Sequence, residues 1–248
     1  MEALGIGFTQ MPYDVEMSMT SLRFDFGQDA VSMVGSILAS FKRCFLPLTL
    51  SFDKFTWDWK QFTSFRATNS FDFLEGTLPW EASVESIIET GEATFAYCDP
   101  HQPQSCLQAM NDLERYIRVK GPYDGVMAFS MGTCLALTIL VDHALKGGTQ
   151  EPPFKVAILF SNPEKPFNME SLRQGRIEPW NPRPIISIPT AHIWGSTDYL
   201  GHNASLAPQY YRKKSEAIFV HKGGHKVPTS AEDVVQIANV IHRAIGGA

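Results

Sequence analysis

The chain has 248 residues, 44% of them hydrophobic and 19% charged, with a formal net charge of -5. That balance fits a folded globular protein and excludes a weakly hydrophobic, disordered one. It also lacks the clustered basic face of a nucleic-acid binder, and the short run Arg212-Lys213-Lys214 reads as a solvated helix end.

The length suits one large α/β domain over 1–248, enough to bury a substantial core. The four cysteines, Cys44, Cys98, Cys106 and Cys134, match no zinc or redox spacing. They read as free thiols of a reducing compartment, which makes a cytoplasmic protein the expectation. No basic segment followed by an apolar run opens the chain, so no signal peptide is expected. The sequon Asn203-Ala204-Ser205 would then be idle. No apolar stretch reaches the length of a bilayer span, and no membrane partner is expected.

In chain order, the first clear element is a helix over 104–120. Leu107, Met110, Leu113, Tyr116 and Ile117 recur near helical spacing, and Gly121-Pro122 stops it. A strand follows over 125–129, then a helix over 130–146 that ends at Gly147-Gly148. The next strand covers 156–161. Residues 162–183 are rich in proline and polar side chains without clear periodicity, and read as either a substrate-side excursion or an ordinary long loop. Strands over 190–194 and 217–221 come next, and a helix over 230–244 closes the chain. Its apolar stripe is Val234, Ile237, Ala238, Ile241 and Ile245, with Glu232-Asp233 in the first turn. The strands are short, apolar and bounded by small or polar residues, as fully buried parallel strands are. The expected fold is α/β, a mostly parallel sheet flanked by helices, with no internal repeat or dividing linker.

The stretch Gly125-Val126-Met127-Ala128-Phe129-Ser130-Met131-Gly132 runs a strand into a serine and then directly into a helix. That is the pattern of a nucleophile elbow, whose crowded backbone needs small neighbours. Ala128 stands where glycine is usual, and a methyl group is a mild departure. A serine hydroxyl needs a base within reach, and the base needs an acid to fix its tautomer. Two later segments supply them in the order Ser, Asp, His. Strand 190–194 leads through Gly195-Ser196-Thr197 to Asp198, and strand 217–221 leads through Gly223-Gly224 to His225. The two glycines are expected to let the backbone bend so that His225 reaches across the sheet edge. His221, at the strand end, is the one competing base. His192 falls inside a strand, His143 and His242 on helices, and His101 and His202 in loops. Asp142 lies too far round the helix behind the elbow to orient an imidazole, and Cys134 falls one turn past Ser130, in the core.

These residues resemble the fungal serine hydrolase family (FSH) of the α/β-hydrolase superfamily. The resemblance rests on Gly121-Pro122-Tyr123-Asp124-Gly125-Val126, on Ala128 to Gly132, and on Pro153-Phe154-Lys155-Val156-Ala157-Ile158. The run from Ile188 to Asp198 and the segment His221-Lys222-Gly223-Gly224-His225-Lys226-Val227-Pro228 add to it. Upstream, Gly7-Phe8-Thr9-Gln10 and Ser70-Phe71-Asp72-Phe73-Leu74-Glu75-Gly76 also match. The resemblance implies an α/β-hydrolase domain and a triad of Ser130, Asp198 and His225, with no cofactor and no metal. It implies an oxyanion hole from the backbone amides of Met131 and, nominally, Phe8. It also implies an acyl thioester or ester substrate, one that a polyketide synthase carrier domain could present, and a part in fungal secondary metabolism.

Two departures stand out. Ile6-Gly7 occupies the place where the family carries His-Gly, and little chain precedes it. Residues 28–69 lie where the family has a short connection, and carry Phe52, Phe55, Trp57, Trp59, Phe62 and Phe65. This insertion reads as an apolar entrance that grips an acyl chain, as extra structure packed on the domain, or as retained intron sequence. Three functions stay open: hydrolysis, acyl transfer to an internal hydroxyl to give a lactone, and acyl binding without catalysis.

Overall fold

The computed structural model describes residues 18–23, 70–74, 76–80, 94–147, 151–212, 217–228 and 230–246. The insertion 28–69, the segment holding Phe8, and Cys44 lie outside the described residues.

Eight strands are described: β1 (Ser18–Arg23), β2 (Ser70–Leu74), β3 (Leu78–Trp80), β4 (Thr94–Ala96), β5 (Gly125–Phe129), β6 (Val156–Phe160), β7 (Thr190–Gly195) and β8 (Ile218–His221). The helices are α1 (Pro103–Lys120), α2 (Met131–Leu145), the short α3 (Met169–Arg173) and α4 (Gly201–Leu206), and α5 (Ala231–Gly246). A 3₁₀ turn, Ala207–Tyr210, continues from α4. Six strands form one sheet in the order β2-β1-β5-β6-β7-β8. β5 to β8 are parallel, and β1 and β2 add an antiparallel edge. A small antiparallel pair, β3-β4, stands apart. This is an α/β-hydrolase fold with a mostly parallel sheet.

The parallel strands form where the sequence is continuously apolar because both sheet faces are covered. Successive side chains point to opposite faces. Val126 and Ala128 of β5, with Ala157 and Leu159 of β6, join the core beneath α1 and α2. Met127, Phe129, Val156, Ile158 and Phe160 join the opposite core, closed by Ile237, Ala238, Val240, Ile241 and Ala244 of α5. α2 is buried on every side from Met131 to Asp142, as an all-round apolar helix must be. Segment 162–188 and the 207–211 turn contribute Phe167, Leu172, Ile186 and Tyr210 to the same core as α2. Truncating a central side chain such as Leu137 would cost roughly 2–5 kcal/mol.

Helix ends follow local chemistry. Pro103 sits at the start of α1, where its missing N–H is no loss. Ser230 Oγ accepts the Asp233 amide at 3.1 Å, capping α5. Asn168 caps α3, accepting the Glu170 and Ser171 amides.

Two expectations are corrected. β8 is not a fully buried strand: Ile218 and Val220 are exposed, because β8 is the sheet edge. His202 lies on α4, not in a loop. The excursion 162–183 contains α3 and an isolated bridge between Phe167 and Pro179. Its five-residue helix is too short to show a period in the sequence.

Candidate active site

The parallel strands deliver their carboxyl ends to one edge, and three of the loops that leave this edge build the site. At the first, β5 passes into α2 through Ser130, with φ 51° and ψ -127°. A non-glycine residue at positive φ is strained. The strain is held by the Ser130 N–H, which donates to Phe160 O at 3.0 Å, and by the Thr133 N–H, which donates to Ser130 O at 2.8 Å. The flanking Ala128 and Gly132 are buried, which explains their small size. Thr133 Oγ1 also lies 2.6 Å from Asn162 Oδ1, while Asn162 Nδ2 donates to Glu164 O at 2.9 Å. The elbow is thereby braced against the loop that follows β6.

At the second loop, β7 ends at Gly195, and the Asp198 amide closes a turn onto Gly195 O at 3.1 Å. The Asp198 carboxylate accepts the Leu200 amide at 2.8 Å, an Asx-type turn that fixes its angle. At the third, the β7–β8 pairing continues past the strands. Ser196 N–H donates to His221 O at 2.7 Å, and Thr197 N–H donates to Gly223 O at 3.2 Å. These two bonds clamp the Asp198 turn to the His225 loop.

The three side chains meet. His225 Nε2 lies 3.0 Å from Ser130 Oγ. His225 Nδ1 lies 3.0 and 2.9 Å from the two Asp198 oxygens. An ionised carboxylate only accepts, so Nδ1 carries the proton and Nε2 is left to accept from the serine hydroxyl. Ser130 and the Asp198 side chain are fully buried, and the His225 side chain is 8% exposed. Burial pushes the Asp198 carboxyl up, but the hydrogen bond from His225, its charge and the Leu200 amide outweigh this and hold it below its ordinary range.

His221 takes no part in this contact. Its Nδ1 accepts the Gly223 amide at 3.1 Å, its Nε2 is buried without a partner, and burial lowers its pKa. His192 is buried in β7 against the edge of Tyr211, and burial lowers its pKa from 6.5 to about 3. Asp142 pairs with Lys146 at 2.5 Å, away from the site, and Cys134 is buried. Met131 occupies the first position of α2, where a backbone N–H has no intrahelical acceptor. Phe8, the other expected oxyanion donor, lies outside the described residues.

The role expected of Gly223-Gly224 is corrected. Neither glycine has a positive φ. The crowded position is Gly195, where an added Cβ would collide with the carbonyl oxygens of both Gly223 and Gly224. Sequence reading also passed over the surroundings of the imidazole. Phe129 and Tyr199 place their rings 5.1 and 5.6 Å from the His225 ring. Their signal was position alone: each is adjacent in sequence to a candidate site residue.

Among the described residues, no group of three or more His, Cys, Asp and Glu side chains could hold a metal ion. Among the same residues, no helix is long and apolar enough to cross a membrane.

A serine at a strand-to-helix turn, bonded through a histidine to an aspartate on successive loops at one sheet edge, is the arrangement of the α/β-hydrolase class. The family described as "Serine hydrolase (FSH1)" matches residues 60–237, and the chain belongs to that family of hydrolases. It is 29% identical over 185 residues to "Esterase FPY3" of Fusarium mangiferae, covering 72% of this chain and 83% of that one. It is 30% identical over 170 residues to "Hydrolase phiM" of Fungal sp. (strain ATCC 74256), covering 68% and 76%. Among solved structures, the Bacillus cereus carboxylesterase is similar at 12% identity with a TM-score of 0.42, over 71% of this chain and 76% of that one.

Proposed function

We propose that the protein cleaves an acyl thioester or ester through an acyl-serine intermediate. The observation that carries this reading is the unbroken chain of contacts from Ser130 Oγ through His225 to Asp198. Ser130 Oγ attacks the acyl carbon as its proton passes to His225 Nε2, and Asp198 stabilises the imidazolium. The tetrahedral oxyanion faces the Met131 amide, with Phe8 as the second donor. Collapse breaks the bond to sulfur or oxygen, and the leaving group takes the proton from His225. Water then attacks the acyl-serine, giving up a proton to the same nitrogen, and the carboxylic acid departs as Ser130 is restored.

The resemblance to the fungal family supports a polyketide or other acyl chain as substrate, presented by a carrier domain in the cytoplasm. The aromatic content of 28–69 supports an apolar acyl group over a charged polymer, since each buried methylene contributes about 0.8 kcal/mol. The same acyl-enzyme would form a lactone if a substrate hydroxyl, in place of water, stood at attack distance.

A fluorophosphonate probe tests the chemistry. The proposal expects covalent labelling that disappears in Ser130→Ala. An unlabelled wild-type protein would turn the reading towards acyl binding without catalysis. Mass spectrometry of products from a panel of acyl thioesters then separates free acids from lactones.

A further inference from the structure

The His225 imidazole lies between two aromatic rings. The Phe129 ring stands 5.1 Å away at 51°, and the Tyr199 ring 5.6 Å away at 48°, centroid to centroid. Both separations are those of rings in contact. The two rings face different surroundings. Phe129 belongs to the core closed by α5 and is 4% exposed, whereas Tyr199 is 58% exposed. An apolar residue scattered on a surface needs no explanation, but this one adjoins the base of the site.

Its neighbours fix its position. Tyr199 lies between Asp198, whose side chain is fully buried, and Leu200, which is also buried. The Asp198 carboxylate accepts the Leu200 amide at 2.8 Å, and the Gly201 N–H donates to Asp198 O at 2.9 Å. These bonds close a turn around Tyr199. Its ring is thus carried on a backbone already ordered, which lowers the cost of packing a ligand against it.

We propose that Tyr199 contacts the leaving group of the substrate and selects an aromatic or bulky apolar thiol or alcohol over a small one. This rests on the acyl-serine reading of Ser130, His225 and Asp198. In acylation the bond from the acyl carbon to sulfur or oxygen breaks, and the departing atom takes the proton that His225 Nε2 received from Ser130. That atom must stand within about 3 Å of Nε2, so the group attached to it comes within reach of the rings beside the imidazole. Ser130 and Phe129 are buried, and the departing group leaves on the solvent side, past Tyr199. An aromatic ring there favours an apolar or aromatic group, and sulfur itself packs well at a ring edge. The acyl group stays behind on Ser130. Tyr199 therefore acts on acylation rather than on hydrolysis of the acyl-serine.

Benzyl and ethyl thioesters of one short acid share an acyl-enzyme and differ only in the group that departs. The ratio of their kcat/KM values therefore isolates the leaving group. Tyr199→Ala should lower the benzyl-to-ethyl ratio about threefold to tenfold, and Tyr199→Phe, which keeps the ring, should hold it within about twofold. Rapid acylation by an activated ester of the same acid gives the deacylation rate. Any loss there in Tyr199→Ala should be smaller than the loss in benzyl acylation. An unchanged ratio in Tyr199→Ala would overturn the proposal. So would a deacylation loss as large as the acylation loss, which would make Tyr199 a support for His225, the base of both steps. A ratio that collapsed in Tyr199→Phe would assign the effect to the hydroxyl and overturn the role of the ring. If wild-type protein cleaved neither thioester, or Ser130→Ala still cleaved them, the acyl-serine reading would fall first, and the role of Tyr199 with it.

Discussion

Gly195 and Gly223 are packed so closely that a methyl group on the first would overlap the carbonyl oxygen of the second. The contact lies between the turn that carries Asp198 and the loop that carries His225, which Ser196 and Thr197 already hold together by backbone hydrogen bonds. The absence of a side chain at Gly195 therefore sets the spacing between acid and base. Gly195→Ala should force the two loops apart. Overpacking of this kind costs about 1–3 kcal/mol. A displacement of about 1 Å at the imidazole should lower kcat/KM about 100-fold. Steady-state kinetics with a thermal melt check both parts.

Base assignment is tested by paired substitutions. Ser130→Ala and His225→Ala should each reduce kcat/KM by about 10⁴-fold or more. The double variant should lose little beyond either single one, because the two act as a unit. His221→Ala should keep turnover, since its Nδ1 is engaged by the Gly223 amide. A dead His221→Ala beside an active His225→Ala would reverse the assignment.

Acid should destabilise the fold through its buried histidines. The folded pKa of His192 lies at about 3, below its ordinary value of 6.5, because burial disfavours the imidazolium. Between those values the unfolded chain binds a proton that the folded chain does not, so stability falls as pH falls. The same sign holds for His221, whose pKa burial also lowers. Asp198, held below its ordinary range, adds a further loss only at lower pH. Denaturant melts of His192→Leu should show a weaker decline than wild type between pH 6.5 and pH 5. An unchanged slope would remove His192 from this account.

Chain-length selectivity tests the role proposed for 28–69. If its aromatic residues grip the acyl group, kcat/KM should rise with acyl length until the pocket is filled. Trp57→Ala with Trp59→Ala should flatten that rise and leave acylation by a short activated ester unchanged. A series already flat in the wild type would return the segment to a packing role.

The parallel half of the fold was legible because β5, β6 and β7 are buried on both faces and so are written as unbroken apolar runs. α2 was legible for the same reason. Ser130, Asp198 and His225 could be found because each lies within four residues of a strand's end, and strand ends in a parallel sheet share an edge. What could not be read was decided by contacts distant in sequence. Nothing local marks β8 as an edge strand, or pairs Thr20 with Met127 across β1 and β5. The need for glycine at 195 is imposed by a loop more than a strand away.

Ser130 and His225 are 95 residues apart in sequence, and His225 and Asp198 are 27 apart. No fragment shorter than that span holds all three. Bringing them together requires the chain to close large loops, whose entropic cost is recovered only when the intervening strands pair. Turnover therefore works as a built-in gauge of cooperative folding. As denaturant is raised, the active fraction should vanish in step with the signal of the whole sheet, with no partly folded species that still turns over substrate.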